Sequence, residues 1–240
     1  EWLPKAMAVE PDNPEIPMMM GVEIYAKDQK WREMAEMFDR ALSIDPQKVI
    51  ELRGAYLTVK EAVDNYKEFY WAKEFNIGVE QFKKIQNDPE NKTQYLDKAI
   101  KHFKNAVLIN PADANSYTTL AKCYFDKGDK EAAKNAVLEA VNKNPESFDA
   151  NFSAGQILAR AGESSEVSLK YYDKAVILEP SNSKALRELA SIYYDLGKSE
   201  ESIKVFENAI VNEKEKIVKA DLYFNLGVIY SEMNNFEIEK

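Results

Sequence analysis

The residues best suited to chemistry in this sequence are one cysteine, Cys123, and one histidine, His102. A single Cys and a single His are too few for a His/Cys metal site, and a cysteine nucleophile needs an activating base beside it. His102 follows Lys101 on a predicted helix and is expected to be solvated. Cys123 precedes Tyr124 and is expected to fill a buried position. The sequence also lacks a glycine-rich phosphate loop and the GxSxG and HExxH motifs. It therefore predicts no catalytic site, no metal and no cofactor, and so a protein that is not an enzyme.

Charged residues alternate along the chain and leave it acidic. Asp and Glu outnumber Lys and Arg by 41 to 32, which gives a net charge of −9. Segments such as Glu200-Glu201-x-x-Lys204 carry the i,i+4 pairs that are typical of solvated helix faces. Nucleic-acid binding requires a concentrated basic surface, and the sequence has none. The charge pattern therefore indicates no nucleic-acid partner.

The sequence has no apolar run of 18 residues and no leader-like pattern at its start. We therefore expect no membrane insertion and a soluble compartment, with the choice between cytoplasm and periplasm left open. The single cysteine cannot form an internal disulfide, so it does not decide the redox compartment.

A pattern of apolar and small residues recurs along the chain at a fixed interval. Its three clearest copies contain Leu120, Ala121, Tyr124 and Gly128; Leu189, Ala190, Tyr193 and Gly197; and Leu226, Gly227 and Tyr230. Prolines follow the same phase, at intervals of 35, 65, 34 and 35 residues, namely Pro11, Pro46, Pro111, Pro145 and Pro180. The interval of 65 is close to two periods of about 34 residues each, the length of one helix–turn–helix unit.

This period, with a helix, a turn, a second helix and a closing proline, resembles the tetratricopeptide repeat (TPR). The resemblance implies an all-α fold, a right-handed α-solenoid of stacked antiparallel helix pairs that forms a superhelix. The first helix of each pair (helix A) would line a concave groove, and the second (helix B) would pack behind it. Small residues are expected where helix A crosses helix B most closely, namely Ala121, Gly155, Ala190 and Gly227. Helix A is expected to end at a left-handed glycine, namely Gly128, Gly162 and Gly197 in three of the copies. The similar period of pentatricopeptide RNA readers is disfavoured by the acidic composition.

The chain is interpreted as a single solenoid fragment with a partial repeat at either end. The predicted segments are 1–11 (partial repeat), 12–46 (repeat), 47–74 (irregular long helices), 75–111 (repeat with an extended loop at 87–92), 112–147, 148–182 and 183–216 (repeats), and 217–240 (partial repeat). In the irregular region, apolar residues recur at helical spacing from Val49 to Tyr70. We expect two helices that meet near Asp64-Asn65, with one long helix of about 39 residues, about 58 Å in length, as the alternative.

The resemblance places the partner-binding groove on the outward steps of the A helices. These groove residues are Tyr25, Phe75, Val79, Phe82, Thr118, Lys122, Phe125, Phe152, Gln156, Arg187, Ser191, Tyr194 and Phe224. Tyr25, Phe82, Phe125 and Tyr194 occupy equivalent steps, either as an aromatic ladder for a ligand or as packing filler. The family's two-carboxylate clamp is not expected, because Glu188 takes one of its basic positions.

The predicted function is a non-catalytic protein–protein interaction scaffold that binds an extended peptide or a helix of another protein. The alternative is the recognition arm of a larger enzyme whose catalytic domain lies outside these 240 residues. A third reading is self-association through residues 47–92 or the exposed ends. The aromatic-rich part of 47–92 is either a functional insertion or a set of side chains that bury where a helix is missing.

Overall fold

The computed structural model describes residues 2–238, and these residues form helices apart from one two-stranded hairpin. The described chain divides after Ser116 into two compact units, which are treated separately below. The all-α fold class is confirmed: twelve α-helices follow one another along residues 2–238. The hairpin differs from the helices expected in this region.

The first unit begins with α1 (Trp2–Val9) and α2 (Glu15–Met20), which continues directly as a π-helical segment, Gly21–Ala26. Next come α3 (Trp31–Ile44), the strands β1 (Val49–Leu52) and β2 (Ala55–Thr58), the long helix α4 (Val59–Asn87), a 3₁₀ turn at Pro89–Asn91, and α5 (Lys92–Ile109). Helix α2 packs on α3, and α4 packs on both α3 and α5. These helices enclose one core that includes Met34, Phe38 and Val63.

Residues 49–58 form an antiparallel hairpin, so the prediction that they belong to a helix was wrong. Val49 pairs with Thr58 and Leu52 pairs with Ala55. The two turn residues, Arg53 (φ 50°) and Gly54 (φ 82°), both have positive φ, which is the backbone of a type I′ hairpin turn. Glycine reaches this conformation without strain, and its presence at position 54 allows the chain to reverse here.

Helix α4 is a single helix of 29 residues, about 44 Å in length. The preferred prediction of two helices meeting at Asp64-Asn65 was wrong, because α4 passes through these residues without a break. It starts at a capping box: the Glu61 N–H donates to Thr58 Oγ1 at 3.2 Å, and the Thr58 N–H donates to the Glu61 side chain at 2.7 Å. Thr58 thus ends the hairpin and starts the helix. The alternative of one helix was closer, although that helix begins ten residues later than the apolar spacing at Val49 suggested.

The second unit contains most of α6 (Ala114–Lys127), followed by α7 (Lys130–Lys143), α8 (Phe148–Ala161), α9 (Ser165–Leu178), α10 (Ser183–Asp195), α11 (Ser199–Asn212) and α12 (Lys216–Ile238). From α7 to α12, each helix packs on the next one. The glycines expected at the ends of helix A are left-handed: Gly128, Gly162 and Gly197 have φ of 92°, 98° and 70°. The sequence therefore located these three turns correctly.

Within the helix pairs, a glycine of helix A faces an aromatic ring of helix B. A Cβ atom built on Gly21 would lie 2.7 Å from Phe38, and one on Gly78 would lie 2.8 Å from Phe103. Gly155, one of the close-crossing positions expected from the sequence, stands in the same relation to Tyr172, at 2.8 Å. Gly227 was expected to be a further crossing, yet a Cβ there would meet no described atom within 4 Å.

Candidate interaction surfaces

The thirteen predicted groove residues differ in their exposure to solvent. Lys122, Ser191 and Phe224 are exposed, and Phe224 keeps 72% of its surface accessible. Nine are half-buried: Tyr25, Phe75, Val79, Phe82, Phe125, Phe152, Gln156, Arg187 and Tyr194. Thr118 is buried, with only 4% of its surface exposed. Its prediction as a surface residue was therefore wrong, and the binding role of the other twelve remains a prediction.

Two of the half-buried aromatic residues pack against helix B of their own pair. The Phe75 ring lies 5.3 Å from that of Phe103, edge to face. Phe152 contacts Tyr172 in the same manner, with 6.0 Å between ring centroids. Each of them is thus a neighbour of the glycine–aromatic crossing described above. Both rings therefore pack within a helix pair, and less of each ring is available to a ligand.

The four residues of the aromatic ladder are also partly packed. Tyr25 contacts the core of the first unit, and Tyr194 contacts the core formed by α10, α11 and α12. All four rings, including those of Phe82 and Phe125, remain partly accessible to solvent. Tyr25 and Tyr194 are therefore packed in part, as expected of packing filler. The role of the ladder in binding a ligand stays a prediction.

A cleft in the first unit is lined by residues that the groove prediction did not include. Two adjoining cavities of about 370 and 290 Å³ share Phe69 and Tyr70 as a common wall. We call this surface the aromatic cleft. Its other lining residues come from the π-helical segment, the turn that follows it, α3, the hairpin, α4 and α5. They are Val22, Ala26, Lys27, Gln29, Trp31, Leu52, Arg53, Ala62, Asn65, Tyr66, Lys73, Glu74, Ile77 and His102.

Ring contacts hold the wall of the aromatic cleft in place. Tyr70 lies at the centre, with its ring 5.5 Å from Trp31, 6.5 Å from Tyr66 and 5.1 Å from Phe69. Trp31 is only 5% exposed, whereas Phe69 is 62% exposed. The cleft therefore combines a fixed aromatic wall with one ring that is open to solvent. The indole Nε1 of Trp31 is buried and finds no hydrogen-bond partner among the described residues.

Some charged side chains at the aromatic cleft have an ion-pair partner and others have none. Lys27 pairs with Glu23. Arg53 and Lys73, which are both exposed, form no ion pair within residues 2–238. Burial is the largest cause that raises the pKa of Tyr70, helped by Tyr66 and Glu23 and opposed by Lys27 and Arg53. The two cations that lower the pKa of the Tyr70 hydroxyl, Lys27 and Arg53, thus lie at different ends of the cleft.

His102 is not the solvated residue that the sequence suggested. Its Nδ1 lies 2.8 Å from Oε2 of Glu74, whose side chain is only 4% exposed. Asn105 donates to the same carboxylate oxygen at 2.8 Å. A buried carboxylate needs such partners because removal from water is costly. The Glu74–His102–Asn105 group therefore joins α4 to α5 below one end of the aromatic cleft.

Cys123 lies where the sequence placed it, in the interior. It is 0% exposed, and burial, with a smaller contribution from Asp126, raises the pKa of its thiol to about 12. The thiol is therefore protonated at neutral pH and is a poor nucleophile. Across residues 2–238, no group of three or more His, Cys, Asp or Glu side chains is arranged to hold a metal ion. None of the helices that the structure describes is both long enough and apolar enough to cross a bilayer.

Two family models, both described as tetratricopeptide repeat, match residues 95–161 and 163–215, which together make up half of the chain. The chain belongs to the tetratricopeptide repeat family. Among solved structures, yeast Tom70 aligns over 97% of this chain and 43% of its own, with a TM-score of 0.55 and 16% identity. PilF of Pseudomonas aeruginosa aligns over 93% of this chain and 87% of its own, with a TM-score of 0.50 and 12% identity. At these identities, the two structures support the TPR fold alone.

Two curated proteins are similar to part of the chain. The protein CTR9 homolog of Arabidopsis thaliana is 30% identical over 103 residues, which are 41% of this chain and 9% of that protein. Cellulose synthase operon protein C of Pseudomonas fluorescens is 29% identical over 108 residues, 45% of this chain and 8% of that protein. The aligned stretch thus spans less than a tenth of the length of either curated relative. The scaffold role is supported by the tetratricopeptide repeats themselves.

Proposed function

We propose that this chain is a non-catalytic scaffold that binds an extended segment or a helix of another protein along the faces of its A helices. The family membership supports the scaffold role. The observation that supports the choice of face is a row of four uncharged side chains at one repeat register, four residues after the small residue of each A helix: Phe125, Ala159, Tyr194 and Ser231. None of the four is buried, although such surface steps on a helix usually carry charge.

Rigid helix pairs make this face suitable for recognition. Gly155 and Tyr172 hold α8 close to α9, and the side chain of Ser202 donates to the Ala190 carbonyl at 2.7 Å, which ties α11 to α10. A surface that is ordered before binding loses little conformational entropy when the partner arrives. The mechanism is therefore preorganisation, in which the partner segment becomes ordered and the scaffold does not change.

We propose no catalytic role because the two residues best suited to catalysis, Cys123 and His102, are not available to a substrate. Cys123 is buried and protonated, and His102 is bound to the buried Glu74. Neither is presented to a substrate in a nucleophile–base arrangement. The proposed function is accordingly binding alone.

The test is capture of a partner from a lysate of the source organism. The immobilised chain is compared with a groove variant, Phe82→Ala, Phe125→Ala and Tyr194→Ala. A matched control carries the same number of exposed apolar truncations on B helices, Leu108→Ala, Ile177→Ala and Val211→Ala, whose residues are 37%, 70% and 80% exposed.

We expect the groove variant to lose the partner and the control to keep it, with unchanged helicity in both by circular dichroism. Capture that survives the groove variant, or that only the B-helix control loses, would contradict the proposal. Because the ladder residues are partly packed, a second groove variant, Lys122→Glu with Ser191→Glu, changes exposed positions alone and separates binding from folding.

A further inference from the structure

We propose that the aromatic cleft of the first unit is a subsite for an acidic, extended segment of a partner protein. This inference rests on the proposed scaffold function, because it specifies the chemistry of the partner and one place where it binds. The segment would lay an apolar side chain against Phe69 and Tyr70 and direct its carboxylates at Arg53 and Lys73.

The dimensions of the cleft fit a short extended peptide. Its lining residues on α4 extend from Ala62 to Ile77, and the stretch from Asn65 to Ile77 rises about 18 Å along the helix. An extended chain advances about 3.3 Å per residue, so this length accommodates about five residues. Phe69 and Tyr70 line both cavities, and in the proposed complex one peptide passes over these two rings from the hairpin end to the α5 end.

The centre of the cleft is suited to an apolar side chain. Phe69 is 62% exposed, yet its ring is held edge to face against Tyr70 at 5.1 Å. Tyr70 is itself fixed between Trp31 and Tyr66. An exposed ring on a fixed support is a low-entropy contact for a ligand, because few rotamers are lost on binding.

The charges select an acidic segment. Arg53, at the hairpin end, and Lys73, towards α5, have no ion-pair partner within the described residues. Of the other charged groups that line the cleft, Lys27 pairs with Glu23, and the Glu74 carboxylate is buried and bound by His102 and Asn105. The exposed carboxylates of Glu51 and Glu68 are next in sequence to lining residues but do not line the cleft. In a chain with a net charge of −9, two uncompensated cations at the ends of an aromatic wall form a local complement to carboxylates.

The position of Arg53 is set by the hairpin. It is the first residue of the type I′ turn, beside Gly54, and β1–β2 pairing fixes the register up to Leu52 and Ala55. Leu52 and Arg53 both line the cleft. The hairpin between α3 and α4 thus places the Arg53 guanidinium at one end of the cleft. A direct connection between the two helices would place no residue there.

The experiment uses the full chain and a random seven-residue peptide library displayed on phage. Selected peptides are then synthesised with a fluorescein label, and their dissociation constants are measured by fluorescence anisotropy. The cleft variants are Arg53→Asp with Lys73→Glu, and Phe69→Ala. Aspartate is chosen at position 53 because it tolerates positive φ.

Each variant has a matched control. Lys130→Asp with Lys204→Glu changes the net charge equally at two exposed helix positions. Tyr56→Ala removes a ring that is 74% exposed on the same hairpin and does not line the cleft. We expect selected peptides to be enriched in Asp and Glu around an apolar residue, with binding about tenfold weaker to each cleft variant and unchanged for both controls.

The proposal is overturned if no peptide is selected, if the selected peptides lack acidic enrichment, or if they bind the Arg53/Lys73 variant as tightly as the parent chain. Acidic peptides that lose binding only in the Phe125→Ala, Tyr194→Ala variant would also overturn the cleft as subsite, yet they would support the scaffold function. The failure of one proposal is thereby distinguished from the failure of the other.

Discussion

A Cβ atom added to Gly155 would stand 2.8 Å from the ring of Tyr172. This contact limits how closely α8 and α9 approach, because the fully buried Tyr172 ring packs directly on the glycine backbone. Equivalent contacts join Gly21 to Phe38 and Gly78 to Phe103. In three helix pairs, a glycine on helix A thus allows an aromatic ring of helix B to pack directly on its backbone.

Gly155→Ala is the first prediction. The added methyl group overpacks the crossing, so the free energy of unfolding should fall by about 1–3 kcal/mol, measured by urea denaturation. Gly227→Ala is the matched control, since its added Cβ would have no described atom within 4 Å beyond the adjacent part of its own helix. This control should be neutral or more stable by up to about 1 kcal/mol, because alanine favours a helix. Equal effects at the two positions would contradict the crossing.

His102→Ala is the second prediction. The substitution removes one of two hydrogen-bond partners from the buried Glu74 carboxylate, and it should lower the free energy of unfolding by about 1–3 kcal/mol. Lys101→Ala, on the exposed neighbouring residue, should change stability by less than about 0.5 kcal/mol. If thermal unfolding curves of the two variants coincide, the Glu74–His102 contact contributes nothing to the fold.

Thr58→Ala is the third prediction, and it concerns the start of α4. Loss of the capping box should cost about 0.5–2 kcal/mol and should speed hydrogen exchange in the first turn of α4. Thr58→Ser keeps the hydroxyl that accepts from Glu61 and should restore protection. Thr93→Ala, at an exposed position on α5, controls for loss of a threonine as such. Unchanged exchange in Thr58→Ala would show that the hairpin, and not the cap, sets the helix start.

The fourth prediction is an alkaline loss of stability that depends on Cys123. Folding raises the pKa of this thiol from 9.0 to about 12, so above pH 9 the unfolded chain releases a proton that the folded chain retains. Deprotonation therefore favours unfolding, and stability is lost as pH rises from 9.0 towards 12. The slope should be steeper than in Cys123→Ala by about 1.4 kcal/mol per pH unit at most. Parallel pH profiles of the two proteins would refute the assignment.

The repeat architecture could be predicted from the sequence because its signals are local. Gly128, Gly162 and Gly197 adopt the left-handed turns expected of them, and the small residue at 155 faces helix B as expected. Each of these positions is set by sterics within one helix pair. The prediction that Thr118 lies at the surface was wrong. Its burial depends on side-chain packing, which its position in the repeat does not reveal.

The hairpin could not be predicted from the same signals. Val49, Leu52 and Tyr56 follow a helical spacing by coincidence, and the positive φ of Arg53 and Gly54 overrides it. A single glycine within an apolar segment was the available hint of a turn. The aromatic cleft depends on that hairpin, and on the pairing of Glu74 with His102 across two helices, so its assembly was visible only in the structure.

The central claim is that the partner lies along the A helices. Photo-crosslinking tests it most directly, with benzoylphenylalanine placed in turn at Lys122 and Ser191 on A helices and at Lys204 and Asn208 on α11, a B helix. All four positions are exposed, so each reports proximity without disturbing the core. We predict that the captured partner crosslinks at positions 122 and 191 and not at 204 and 208. Crosslinking confined to 204 and 208 would contradict this prediction.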